Sequence, residues 1–234
     1  MNEKEKIVWI TGASSGIGKA IALEFAKNGS SVAVSSRNEE KLSVLKKDVG
    51  DKIKIYPLDI SELDSIKKTY QKISEDYEIV CIVNNAGVTS FSTAEKTPFD
   101  VTKNIIDTNL TAAIFLIKSV LPDMIENKNG TIINILSVAA NTVFTKSSVY
   151  AASKAGLAAF SKSLREELRN DNIKVVNVYP GATRTPIWGD EALKKFGDKM
   201  MKPEDIAKMI YDIYKSKSNM VPEELVLRPV TGDL

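Results

Sequence analysis

The chain contains no histidine and a single cysteine, Cys81. One cysteine cannot form an intrachain disulfide. Without histidine no zinc site of the usual Cys/His kind can be assembled, so no metal site is expected. Ser-His-Asp and Cys-His catalysis lack their general base, so proton chemistry must run on tyrosine, lysine or carboxylates. An excess of one charge is also missing. The 32 Lys+Arg against 30 Asp+Glu leave a net charge of +2, which argues against nucleic acid or an anionic membrane as partner. Apolar runs fall short of the roughly 20 residues that span a bilayer, and the charged stretch 1–6 has no signal-peptide core. Asn28-Gly-Ser30 and Asn109-Leu-Thr111 fit the glycosylation pattern by chance, and the expected compartment is the cytoplasm.

At 43% apolar and 26% charged over 234 residues, the composition is that of an ordinary globular chain with room for a sizeable core. Runs at 6–11, 31–36, 53–57, 79–83, 131–136 and 173–179 read as strands. They are hydrophobic on both faces, as a buried parallel sheet requires. Cys81, between Val80 and Ile82, reads as a core residue of one of them. Helical patterns lie between the strands. Ile17, Ile21 and Phe25 recur every four residues, and Gly29 supplies a stop. Ser61 with Asp64 reads as a capping box opening a helix over 66–77, and 148–169 is a longer helix. This alternation predicts an α/β fold, one doubly wound parallel sheet with helices on both faces, in a single domain over 1–234. Ligands of such sheets bind beyond the carboxyl ends of the strands.

The first of those ends runs into Thr11-Gly-Ala-Ser-Ser-Gly-Ile-Gly18 and then a helix. Gly12, Gly16 and Gly18 allow a tight turn and close approach of backbone to a pyrophosphate, which the helix N-terminus attracts. Ser14, Ser15 and Ile17 belong to the same cofactor turn. The stretch also satisfies the G-x-S-x-G pattern of a hydrolase nucleophile at Ser14, but that chemistry needs the histidine this chain lacks.

Thr11–Gly18, Asn84-Asn-Ala-Gly87, Asn109, Ser137, Tyr150-Ala-Ala-Ser-Lys154 and Pro180-Gly181 stand in the order and spacing of the short-chain dehydrogenase/reductases, which the chain resembles over nearly its whole length. The resemblance implies a Rossmann-like fold, a nicotinamide cofactor and redox chemistry at a carbonyl or alcohol carbon. Tyr150 and Lys154 lie four apart on one helix face. A nearby ammonium favours a phenolate and lowers the phenol pKa from about 10 toward working pH. The resemblance also gives Lys154 the nicotinamide ribose and Asn109 a proton relay to Lys154, although Asn109 reads equally as a helix cap. Ser137, at the end of the strand 131–136, can hydrogen-bond the substrate oxygen. Family members often carry a second serine after it; here Val138 follows.

Further cofactor contacts are expected at Asn85, Ala86 and Gly87, at Asp59 and Ile60, and at Pro180, Gly181, Thr183 and Thr185. Asp59 reads equally as a helix N-cap. At the end of the second strand Ser36 and Arg37 stand where NAD-preferring relatives place a carboxylate. A hydroxyl and a guanidinium there can hold a 2′-phosphate, so NADP(H) is the expected cofactor. The substrate pocket is expected from Ser137, Val138, Val143, Phe144 and Tyr150 and from Pro186, Ile187 and Trp188.

The segments around Ser137-Val-Ala-Ala140, Thr185-Pro-Ile-Trp-Gly189 and Glu223-Glu-Leu-Val-Leu-Arg-Pro229 resemble one branch of the family, the bacterial sepiapterin reductases. That likeness implies reduction of a pterin side-chain carbonyl, with Trp188 stacking on the ring and Asp190, Glu191 or Asp233 accepting its N–H donors. Trp188 reads equally as an apolar lid. A 3-oxoacyl thioester, a 3-hydroxy acid or a short-chain alcohol is the alternative substrate, and a non-catalytic dinucleotide sensor the alternative function. A sugar-nucleotide epimerase would need a larger segment after Gly181. Lys194, Lys195, Lys199 and Lys202 read as a solvated helix face. The small residues from Ala151 to Ala159 let another helix approach closely, and the resemblance implies a homodimer or homotetramer.

Overall fold

The computed structural model describes residues 4–217 and 220–233. Its strands are β1 (Glu5–Thr11), β2 (Ser31–Ser35), β3 (Ile53–Ile55), β4 (Tyr77–Asn84), β5 (Gly130–Ile135), β6 (Ile173–Pro180) and β7 (Glu224–Leu227). The α-helices are α1 (Gly16–Lys27), α2 (Glu39–Val49), α3 (Leu63–Asp76), α4 (Phe99–Ile106), α5 (Ala112–Glu126), α6 (Ser148–Glu167), α7 (Gly189–Phe196) and α8 (Pro203–Lys215). The strands pair in parallel in the order β3-β2-β1-β4-β5-β6-β7. The fold is Rossmann-like, as expected. Side chains alternate along each strand, so the central strands feed two cores. Val8, Ile10, Val83, Ile133 and Val176 pack on one face with Phe25 and Ile206, while Ile7, Trp9, Ile82, Ile132 and Val175 pack on the other with Leu116, Val120 and Leu164. Cys81 is fully buried.

Several boundaries differ from those expected. β7 was not foreseen. It is a four-residue edge strand whose alternate residues are exposed, and an edge strand lacks the continuous apolar run that marks a central one. Ser61 does not cap α3. Glu62 occupies that position without a side-chain bond, and Ser61 instead gives its amide and hydroxyl to Asp59 Oδ1, at 3.0 and 2.7 Å. Asp59 is thereby an Asx turn rather than a helix cap. Tyr77 opens β4 instead of closing the preceding helix. The four lysines from 194 to 202 are exposed as expected, but they divide among α7, the turn Gly197–Lys199 and the start of α8.

α4 continues through a π-turn, Asp107–Thr111, into α5. The combined helix Phe99–Glu126 is long and apolar enough to cross a membrane. Here its apolar stripe lies in the protein, with Ile105, Ala112, Leu116, Val120 and Met124 buried. Gly156 of α6 receives Leu110 from the π-turn, 3.0 Å from where a β-carbon would stand. The small-residue run of α6 therefore packs within the chain at this point.

Candidate active site

In the sheet order, β1 leads outward to β2 and β3 on one side and to β4 on the other, so the connections diverge between β1 and β4. A cleft of about 770 Å³ opens there at the carboxyl ends of the strands, the place where such sheets hold ligands.

The glycine turn forms one wall. Gly12 has φ +65°, and a β-carbon on it would stand 2.8 Å from Ala86 Cα. One on Gly18 would meet Gly12 O at 2.5 Å and Asn85 Nδ2. Neither position has space for a side chain. Gly18 packs closely against the turn itself. Thr11 and Asn85 hold the turn. Thr11 Oγ1 accepts the amides of Asn85 and Ala86 at 3.2 Å, and Asn85 Nδ2 donates to Thr11 O and Gly12 O at 3.0 and 3.1 Å. The N-terminus of α1 is left open: Ser15 stands at the cap with no side-chain bond, and the first turn carries no acidic residue. Most helices satisfy those amides with a side chain. An uncapped positive helix end beside Ser14 and Ser15 fits a pyrophosphate.

Ser36, Arg37, Asp59 and Ile60 line one end of the cleft. Arg37 is exposed and makes no ion pair among the described residues. Ser36 Oγ accepts Asn38 N at 3.2 Å, which sets the start of α2. Asp59 commits only Oδ1 to Ser61 and leaves Oδ2 for a ligand.

Tyr150, Lys154 and Ser137 meet in the middle. Lys154 is 4% exposed, and its Nζ donates to Ile135 O at 2.8 Å and lies 5.8 Å from the Tyr150 ring centre. Desolvation lowers its pKa to about 8. The Tyr150 hydroxyl moves the opposite way from that expected: burial raises it, and its hydrogen bond with Ser137 offsets this in part. The reason is that burial acts on the phenolate directly while the Lys154 ammonium points at a backbone carbonyl. Ser137 Oγ also accepts the Ala139 amide at 3.1 Å.

Asn109 lies in the π-turn, inside a helix rather than capping one, and is buried behind the cleft wall. Its Oδ1 accepts Val88 N at 2.8 Å, and its Nδ2 donates to Val88 O and Ser153 Oγ at 2.9 and 3.0 Å. A β-carbon on Gly87 would stand 3.3 Å from Asn109 Oδ1 and 3.4 Å from Lys154 Nζ. The backbone of Gly87 thus separates the two.

At the far end lie Val138, Phe144, Pro186, Ile187 and Trp188, as expected, while Pro180, Gly181, Thr183 and Thr185 lie between them and the glycine turn. Val143 is the exception, 95% exposed and outside the cleft. Of the three candidate carboxylates only Asp233 lines the cleft; Asp190 and Glu191 begin α7 in solvent. Phe91 is a lining residue that sequence reading missed. It stacks on Trp188 with ring centres 5.6 Å apart and planes at 20°. Its position seven residues past the end of β4, in a segment lying beyond a carboxyl strand end, is the only signal that pointed to it.

A short chain dehydrogenase family profile matches residues 6–195. A sepiapterin reductase of Chlorobaculum tepidum is 37% identical to the chain, over 97% of this chain and 98% of that protein. Among solved structures, a closed form of serine dehydrogenase complexed with NADP+ superposes with TM-score 0.92 at 30% identity, over 97% of this chain and 96% of that one. A metagenomic short-chain oxidoreductase in complex with NADP gives 0.84 at 29% identity, over 96% and 97%.

The depressed Lys154 pKa carries a stability signature. Between pH 8 and 10.5 the unfolded chain binds more protons at this residue than the folded one, so its cost is complete below pH 8 and vanishes above 10.5. Lys154→Met is expected to be more stable than the parent at pH 7, by about 1–3 kcal/mol once the freed Ile135 carbonyl is counted. Urea unfolding across pH 7–10.5 checks it. The advantage should shrink as pH rises; a difference that is constant with pH contradicts the buried ammonium.

Proposed function

The chain belongs to the short-chain dehydrogenase family and is an oxidoreductase of CH–OH and carbonyl groups; on that premise we propose that it is an NADPH-dependent reductase of a side-chain carbonyl on a pterin or similarly flat heterocycle. The observation that carries the substrate class is the Phe91–Trp188 stack lining the cleft. The two rings touch each other and together present an aromatic face on which a flat ring can stack. Asp233 also lines the cleft; its Oδ2 is paired with Arg228, which leaves Oδ1 to accept a pterin's N–H donors. The Chlorobaculum tepidum relative, a sepiapterin reductase, supports the same choice. The similarity to a serine dehydrogenase favours a second reading, oxidation of a 3-hydroxy acid. A carboxylate substrate wants a cation, and among the described residues the cleft is lined by only two, Arg37 and Lys154, neither of them at the aromatic end.

In this reading the open end of α1 with Gly12, Ser14, Ser15, Gly16 and Ile17 holds the pyrophosphate. Asp59, Ile60, Asn85, Ala86 and Gly87 border the adenosine, and Ser36 and Arg37 take the 2′-phosphate. Lys154 holds the nicotinamide ribose, while Pro180, Gly181, Thr183 and Thr185 enclose the ring. NADPH bound there supplies the hydride that reduces the carbonyl carbon. The Tyr150 hydroxyl gives its proton to the carbonyl oxygen, which becomes the alcohol, and a raised pKa keeps that proton in place until it is needed. Ser137 donates a hydrogen bond to the same oxygen as charge develops. Asn109 ties Val88 and Ser153 beside Gly87 and serves Lys154 from behind the wall. The NADP complexes among the structural neighbours accord with the cofactor. The same proposal treats 1–234 as one domain, active in the cytoplasm as a homodimer or homotetramer.

Sepiapterin is expected to be reduced with a kcat/KM at least a hundredfold above that for an acetoacetyl thioester or for serine oxidation. Phe91→Ala and Trp188→Ala should each raise the sepiapterin KM about tenfold, since a lost aromatic pair is worth about 0.5–1.5 kcal/mol beyond buried area. The KM for a small diketone should stay within twofold. A thioester preference, or equal effects on both ketones, contradicts stacking on this aromatic face.

The parent should prefer NADPH over NADH by roughly ten- to a hundredfold, the worth of one charge-assisted bond of about 1.5–3 kcal/mol. Ser36→Asp with Arg37→Ala should reverse that preference, because it adds repulsion as well as removing attraction. Comparing kcat/KM for both cofactors on parent and double variant decides it. Equal use of NADH by the parent removes Arg37 from the phosphate site.

A further inference from the structure

Asn84, Asn134, Asn177 and Glu224 stand directly opposite one another on β4, β5, β6 and β7. Asn84 Nδ2 donates to Asn134 Oδ1 at 2.8 Å, Asn134 Nδ2 to Asn177 Oδ1 at 3.3 Å, and Asn177 Nδ2 to Glu224 Oε1 at 3.2 Å. All three amides point the same way. A carboxylate only accepts, so Glu224 obliges Asn177 to turn its NH2 toward β7 and its oxygen toward β5. Asn134 and Asn84 inherit that orientation in turn. Arg165 holds the carboxylate at 2.8 Å, and the Tyr179 hydroxyl donates to its other oxygen. At the opposite end Asn84 Oδ1 is buried with no partner. Two residues earlier on three of these strands the same face carries Ile82, Ile132 and Val175. Apolar side chains would fill this row at lower desolvation cost, so bulk stability does not account for it.

The row borders the site on β4, β5 and β6. Asn84 precedes Asn85, Asn177 lies three residues before Pro180, and Asn134 adjoins Ile135, whose carbonyl receives Lys154. Asn134 also donates to Ser161 Oγ at 2.9 Å, and Ser161 lies seven residues beyond Lys154 on α6. Both amide protons and the oxygen of Asn134 are thus committed, to β4, to β6 and to the helix that carries Tyr150 and Lys154. We propose that Asn134 is a positioning residue for carbonyl reduction, setting α6 against the ends of β4, β5 and β6 so that Tyr150, Lys154 and Ser137 meet at one point. The inference rests on the catalytic reading given above. Angular errors in such a triad cost rate before they cost binding.

The test compares Asn134→Leu, near in shape but without hydrogen bonds, and Ser161→Ala, which cuts the anchor to the helix together with the hydroxyl's own bond to Leu157 O, with the parent and Tyr150→Phe. NADPH sites are counted by fluorescence titration, and single-turnover reduction of sepiapterin, or of a diketone if sepiapterin is not a substrate, is expressed per bound NADPH. Asn134→Leu should lose at least tenfold in rate per site and Ser161→Ala at least threefold, with NADPH Kd within threefold of the parent in both. Smaller losses overturn the proposal, as does a Kd that rises in step with the loss of rate, which marks a merely structural role. If Asn134→Leu does not fold, Ser161→Ala decides by the same limits. A Tyr150→Phe enzyme as fast as the parent overturns the catalytic reading and this inference with it. With Tyr150→Phe inactive, parent-like rates in the other two overturn the positioning role alone.

Discussion

One buried ammonium organises the centre of this molecule. Lys154 is withdrawn from water and given a single backbone acceptor, Ile135 O, and a charge so placed is costly unless its surroundings are built for it. The surroundings are built for it on three sides. Gly87 has no side chain to crowd it, the π-turn brings Asn109 up behind Gly87, and Ser153 links Asn109 to the Tyr150 carbonyl, into which its hydroxyl donates at 2.7 Å. In the proposed reaction this pairing of a depressed lysine with a raised tyrosine holds a proton ready at neutral pH in a chain without histidine.

Two ends of the cleft are built differently, and the difference matches their proposed tasks. The glycine-turn end is fixed by backbone and by short polar side chains: Thr11, Asn85 and the close contacts at Gly12 and Gly18 leave it little freedom. The aromatic end is made from loops. Phe91 is 55% exposed, and Trp188 sits in a single turn, Pro186–Trp188, before α7. Loops on a rigid scaffold are where substrate preference varies, so the reaction class follows from the strands and the substrate from a few loop side chains.

That division also explains what could be read from the chain before folding. The glycine turn, the Asn84–Gly87 stretch and the Tyr150/Lys154 pair each depend on spacing within one segment, and their positions in the cleft follow from the parallel sheet. Six strands were legible because burial on both faces demands continuous apolar runs. β7 was not, because an edge strand is half solvated. Ser61 misled because a local serine–carboxylate pattern serves an Asx turn as well as a helix cap. Phe91 was marked only by its place past the end of β4, and the side-chain row from Asn84 to Glu224 was invisible because it joins segments far apart in sequence. The direction of the Tyr150 shift depended on how fully the fold buries the phenol, which no spacing encodes.

The central claim is that the proton for reduction comes from Tyr150 under the influence of Lys154. Single-turnover reduction of sepiapterin by NADPH across pH 6 to 10 tests it most directly. The rate constant should be level below about pH 8, where Lys154 is charged and Tyr150 keeps its proton, and should fall as pH rises beyond it; Tyr150→Phe should show no such limb on whatever residual rate it retains. A parent rate that is independent of pH up to 10 would contradict the account, because the proton would then come from no titrating group of this pair.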